Sequence, residues 1–81
     1  MIIKYFAWIK DITNKDQEEI IDNEPNNIND LKDLLCKKYP DLEKHINNNI
    51  LRYAINMEYT STNDNLKSTD EIAVFPPVSG G

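Results

Sequence analysis

The chain has 81 residues, of which 40% are apolar and 28% charged, and it carries a net charge of −5. That suffices for one small domain and leaves too little material for a second core or a deep catalytic pocket. Arginine occurs once, at Arg52, and no basic stripe exists, which argues against nucleic-acid binding through phosphate neutralisation.

An acidic surface suits a partner with a basic rim, or simply a well-solvated exterior. The single cysteine, Cys36, rules out an internal disulfide or a cysteine metal cluster. No apolar run approaches the roughly 18 residues of a membrane span. The opening Met1-Ile2-Ile3-Lys4 lacks the apolar stretch of a signal peptide. The expected setting is a reducing cytoplasm, with no membrane or nucleic-acid partner.

In chain order, residues 2–10 are rich in β-branched and aromatic side chains and predict a strand. Alternation sets Ile3, Tyr5, Ala7 and Ile9 on one face and Ile2, Lys4, Phe6, Trp8 and Lys10 on the other. The lysines mark the second face as the wet one, so Phe6 and Trp8 point outward and ask for a partner unless another element covers them. Residues 11–16 predict a turn, and 17–22 a short polar strand returning antiparallel. Asn27 is a good N-cap, with Asp30 three residues on. Ile28, Leu31, Leu35 and Tyr39 then recur at helical spacing, Lys37 and Lys38 suit the negative end of the dipole, and Tyr39-Pro40 stops a helix over 28–38. Residues 41–46 allow a helical turn. Residues 51–56 predict a strand, Asn56 suits a left-handed turn, and 57–61 predict a brief partner strand. The last strand, 71–75, buries Ile72 and Val74 and turns Glu71, Ala73 and Phe75 the other way.

The ending is Pro76-Pro77-Val78-Ser79-Gly80-Gly81. Two prolines stop the ladder and favour an extended exit. Two glycines carry no Cβ, so the backbone there can thread a narrow channel. Six extended residues reach about 20 Å from the body at ~3.3 Å each. A frayed terminus is the alternative reading of such an ending.

The stretch Asp70-Glu71-Ile72-Ala73-Val74-Phe75-Pro76-Pro77-Val78-Ser79-Gly80-Gly81 closely resembles the ending of the MoaD family, small sulfur carriers of molybdopterin synthase. Leu66, Ala54-Ile55-Asn56 and the helix pattern ending in Tyr39-Pro40 extend the similarity, and Phe6-Ala7 with Lys10-Asp11 is compatible with it. Two departures stand out: Ser68-Thr69 occupies the place where members usually carry a glycine before the Asp-Glu pair, and Trp8 a place more often polar.

The resemblance implies an α+β, ubiquitin-like β-grasp over 1–76, with four to five strands on one main helix, and a tail over 77–81. It also implies a carrier whose catalysis lies elsewhere and which binds no cofactor of its own. An activating adenylyltransferase of the MoeB kind would use ATP to adenylate Gly81, and sulfur transfer would give a thiocarboxylate. Residues Pro76, Pro77, Val78, Ser79 and Gly80 would insert into the large, MoaE-like subunit of a heterotetramer and present the sulfur to a cyclic pyranopterin precursor. Phe6, Tyr59 and Phe75 would form the hydrophobic docking surface, with Trp8 extending it.

Other residues invite other readings. Cys36 sits beside the helix's apolar stripe and reads as packing. His45, the one histidine, reads as a surface-turn residue, and Ser79 has no triad pattern around it. Three alternatives share the same ending: a ThiS-like or Urm-like carrier for thiamin or tRNA thiolation, a modifier conjugated through Gly81, and an inert β-grasp module.

Overall fold

A computed structural model describes residues 1–77. In chain order the elements are β1 (Ile2–Tyr5), α1 (Trp8–Thr13), β2 (Gln17–Glu19), α2 (Ile28–Lys38), a 3₁₀ turn (Pro40–Leu42), α3 (Glu43–Asn47), β3 (Arg52–Ile55), β4 (Glu58–Thr60) and β5 (Glu71–Phe75). The five strands form one mixed sheet in the order β2-β1-β5-β3-β4. The first and last strands lie side by side and parallel, Ile3 opposite Ile72 and Tyr5 opposite Val74, and every other pairing is antiparallel.

The sheet forms around β5 because β5 is apolar on the right parity. Ile72 and Val74 are wholly buried beside Ile3 and Tyr5, and Leu31 and Leu35 of α2 close the core from above. Each such side chain contributes roughly 1.5–3 kcal/mol by leaving water. The helix begins where the sequence places it: Asn27 Oδ1 accepts the Asp30 N–H at 2.8 Å. The reciprocal bond from Asp30 reaches one residue further out, to the Asn26 N–H at 3.3 Å, so the box is stretched over Asn26 and Asn27. Lys37 and Lys38 fall in the last turn, and the helix ends at Tyr39.

Two local outcomes differ from the sequence expectation. The strand over 2–10 ends at Tyr5, and Trp8–Thr13 is a helix. Ile9, Ile12 and Thr13 are spaced i, i+3, i+4; Ile9 and Thr13 are buried and Ile12 packs against the core. A helical stripe was thus hidden in residues whose β-branching suggested a strand. The change of direction falls on Ala7, with φ 53° and ψ −137°, a conformation that glycine adopts far more readily. The predicted strand 17–22 is shortened to Gln17–Glu19. The missing glycine before Asp70 has a simple account: Ser68 and Thr69 are not among the residues at positive φ, and the Asp70 carboxylate accepts the Lys67 N–H at 2.8 Å to hold the turn.

A buried polar knot ties β2 to the end of α2. The Glu18 carboxylate, only 8% exposed, accepts from the Tyr5 and Tyr39 hydroxyls and the Lys38 ammonium. Burial alone would push the Glu18 carboxyl up, but Lys38, Tyr39 and Tyr5 outweigh it and hold the group down at about 2. Burial and the same carboxylate push Tyr39 up to about 12. Among the described residues, no helix is long and apolar enough to cross a membrane.

Candidate docking face and tail exit

Helix α2 covers one face of the sheet and leaves the other to face outward. Register decides what that outer face carries. Lys4, Ala73, Ala54 and Tyr59 form one row across β1, β5, β3 and β4. Phe75 and Arg52 begin the next row. Phe6, one residue past β1, still donates its N–H to the Val74 carbonyl at 3.1 Å, which sets it beside Phe75. Phe6 is 45% exposed, Tyr59 is 61% exposed, and Phe75 is half-buried. Three aromatics therefore border a floor made low by Ala54 and Ala73. Such a surface suits burial against a partner better than exposure to water.

The β3–β4 hairpin that presents Tyr59 turns through Asn56 and Met57, both at positive φ (50° and 72°), the signature of a tight I′ turn. Asn56 also fastens this turn to the start of β5. Its amide donates to Asp70 Oδ1 at 2.9 Å, and its Oδ1 accepts the Glu71 N–H at 3.0 Å. The element that carries Tyr59 and the strand that carries Phe75 are thereby held in one register.

Strand β5 ends at Phe75, Pro76 is half-buried, and Pro77 is exposed. The chain leaves the sheet from its central strand, at the same end as Phe6 and Phe75. Val78, Ser79, Gly80 and Gly81 lie outside the described residues.

The remaining candidates separate from this face. Trp8 stands on α1, not on a strand, and its ring meets that of His45 at 4.8 Å; it is not part of the β1 row. Cys36 is half-buried on α2. Burial, and then the carboxylates of Glu43 and Asp33, push its thiol up and work against a reactive thiolate. Among the described residues, no group of three or more His, Cys, Asp or Glu is placed to hold a metal ion. Ala73 lies on the outer face, where the alternation of the last strand sets it. The sequence reading did not name Arg52 and Ala54 as parts of that face, although alternation about Tyr53 was the signal available for both.

A helix crossing one face of a mixed sheet whose parallel terminal strands lie at its centre defines a ubiquitin-like β-grasp protein. The sequence pattern of the ThiS family matches residues 3–81, and the chain belongs to that ThiS/MoaD family. It is 37% identical over 86 aligned positions to the molybdopterin synthase sulfur carrier subunit of Dictyostelium discoideum, spanning 98% of this chain and 93% of that protein. A Pyrococcus furiosus protein provisionally assigned as molybdopterin converting factor subunit 1 superposes with a TM-score of 0.80 at 29% identity, over 95% of each chain. A structure of the complex of subunits 1 and 2 of molybdopterin-converting factor from Helicobacter pylori matches with a TM-score of 0.71 at 26% identity, over 99% of this chain and 96% of that one.

Proposed function

We propose that this chain is the sulfur-carrier subunit of a molybdopterin synthase, working in the cytoplasm. The observation that carries the reading is the full-length match to the Dictyostelium sulfur carrier subunit. The Helicobacter complex of subunits 1 and 2 supports a large-subunit partner.

The chemistry resides in a backbone group. A carboxylate is a poor electrophile, so an activating enzyme of the adenylyltransferase kind first joins the Gly81 carboxylate to AMP from ATP, releasing pyrophosphate. A sulfur donor then displaces AMP, leaving a thiocarboxylate. In the synthase the thiocarboxylate gives its sulfur to a cyclic pyranopterin precursor, and water restores the carboxylate. No side chain of this subunit takes a proton in that sequence; general acid and base groups belong to the large subunit, as does the catalytic pocket. The carrier binds no cofactor, and ATP is consumed by its activating enzyme.

The fold contributes placement. Phe6, Tyr59 and Phe75 dock the outer sheet face on the large subunit, and Pro76 and Pro77 aim the chain away from β5. Val78, Ser79 and Gly80 occupy the partner's channel, where a side chain at position 80 or 81 would obstruct passage. Two carriers and two large subunits make the assembly a heterotetramer.

Intact-mass spectrometry tests the first step. Incubation with the cognate activating enzyme, ATP and a sulfur donor is expected to exchange one oxygen for sulfur, located on Gly81 by fragmentation. Unchanged protein in the presence of demonstrably active enzyme refutes a carrier role, and lysine-linked adducts point to conjugation instead.

A further inference from the structure

Between the first turns of α2 and the β3–β4 hairpin lies a cleft of about 390 Å³. Its lining includes Asn29, Lys32, Arg52, Tyr53, Tyr59 and Thr62, and not one Asp or Glu, in a chain that carries 14. Two further clefts are acidic by contrast, one lined by Glu24, Asp30 and Asp33 and the other by Glu58 and Asp64. Lys32 is half-buried, rests its ammonium 5.6 Å from the centre of the Tyr53 ring, and forms no ion pair among the described residues. Arg52 likewise meets no carboxylate there. Its Nη1 donates to the carbonyls of Asn49, Ile50 and Leu51 at 2.6, 3.3 and 3.2 Å, which fixes the guanidinium at the cleft with its other N–H groups unspent. Tyr53 is 6% exposed, and its buried hydroxyl has no hydrogen-bond partner among the described residues. A buried hydroxyl left so is uncommon in a finished structure.

The cleft is continuous with the docking face. Tyr59 belongs to both, and Arg52 is the register partner of Phe75. We propose that it receives a carboxylate side chain from the large-subunit partner, paired with Lys32 and Arg52, with the Tyr53 hydroxyl as a third donor once the Lys32 side chain swings toward the carboxylate. The proposal rests on the docking reading above and adds the chemistry of the partner's contact. Its role is register. A chain of net charge −5 repels an acidic group over most of its surface, so one acidic residue on the partner has a single favourable seat, and seating it fixes how the aromatic face is laid down.

The test is calorimetric titration of this chain with the large subunit at low and high potassium chloride, using wild type, Lys32→Met, Lys32→Glu, Tyr53→Phe and Phe75→Ala. Lys32→Met is expected to weaken binding about tenfold at low salt and less at high salt, and Lys32→Glu to weaken it further. Tyr53→Phe is expected to weaken binding several-fold while the free chain melts no lower than wild type, because the hydroxyl it loses has no partner among the described residues of the free chain. Binding unaffected by all three cleft substitutions but reduced by Phe75→Ala overturns this proposal and leaves the docking reading standing. Failure of the wild type to bind removes both. Phosphate-induced nuclear magnetic resonance shifts at Lys32 and Arg52 in the free chain, together with subunit binding indifferent to Lys32→Met, assign the cleft to a free anion and overturn it as well.

Discussion

Glu18→Gln is the substitution whose energetic consequence the structure defines best. The Glu18 carboxylate is almost fully buried, and it is the common acceptor for groups on β1, α2 and the residue ending α2. Its pKa falls from an ordinary 4.5 to about 2 in the folded chain. A depression of that size corresponds to about 3 kcal/mol at neutral pH, at about 1.36 kcal/mol per pH unit. Glutamine keeps one acceptor oxygen for the tyrosines, so the expected loss is about 2–3 kcal/mol. For a domain of this length that lowers Tm by about 10–20 °C. The sign follows from the direction: the folded pKa lies below the unfolded one, so the stabilisation is complete above pH 4.5 and is lost as pH falls toward 2. Denaturant melts of wild type and Glu18→Gln, run from neutral pH downward, isolate this group from the other carboxylates. The gap between the two proteins is expected to shrink to less than half by about pH 3. A gap that stays constant with pH, or one under about 0.5 kcal/mol at neutral pH, refutes the account of the knot.

Three further outcomes are expected. Ala7→Gly relieves a backbone conformation at φ 53° and ψ −137° and should stabilise the fold by about 1 kcal/mol in a thermal melt, where Ala7→Val should destabilise it. Phe75→Ala should weaken large-subunit binding about 30-fold, about 2 kcal/mol, while circular dichroism stays native; collapse of the fold instead places Phe75 in the core. Deleting Gly81 should leave the melt unchanged and abolish thiocarboxylation, and a shortened chain that still acquires sulfur contradicts the mechanism.

How much of this was legible beforehand differs by element. The helix over 28–38 and the strand over 71–75 came out as expected, because each couples an unambiguous period with a chemical stop: Asn27 and Pro40 for the helix, Pro76 for the strand. The stretch 6–13 did not. Phe6, Trp8 and Ile9 carry strong β-propensity, and only the tertiary need to bury Ile9 and Thr13 makes Trp8–Thr13 helical at the expense of a strained Ala7. Alternation set Phe6 and Phe75 on the outward faces of their strands, and the β-grasp topology that the resemblance implied set those strands side by side and parallel. Tyr59 could not, since its place depends on the register of β4 against β3, set by a two-residue turn in which Met57 holds a conformation its side chain disfavours. The Glu18 knot and the Lys32–Arg52 cleft were invisible for the same reason: each is assembled from residues far apart in sequence, and a polar strand or a lone lysine gives no sign of what will pack against it.

Sulfur donation is tested most directly by mixing thiocarboxylated chain in single turnover with the large subunit and the cyclic pyranopterin precursor. One sulfur per carrier is expected to leave Gly81 and appear on the pterin product, with the carrier returned to its carboxylate mass. Sulfur retained on Gly81 in the presence of an active large subunit, or released only to a thiamin or tRNA acceptor, would contradict it.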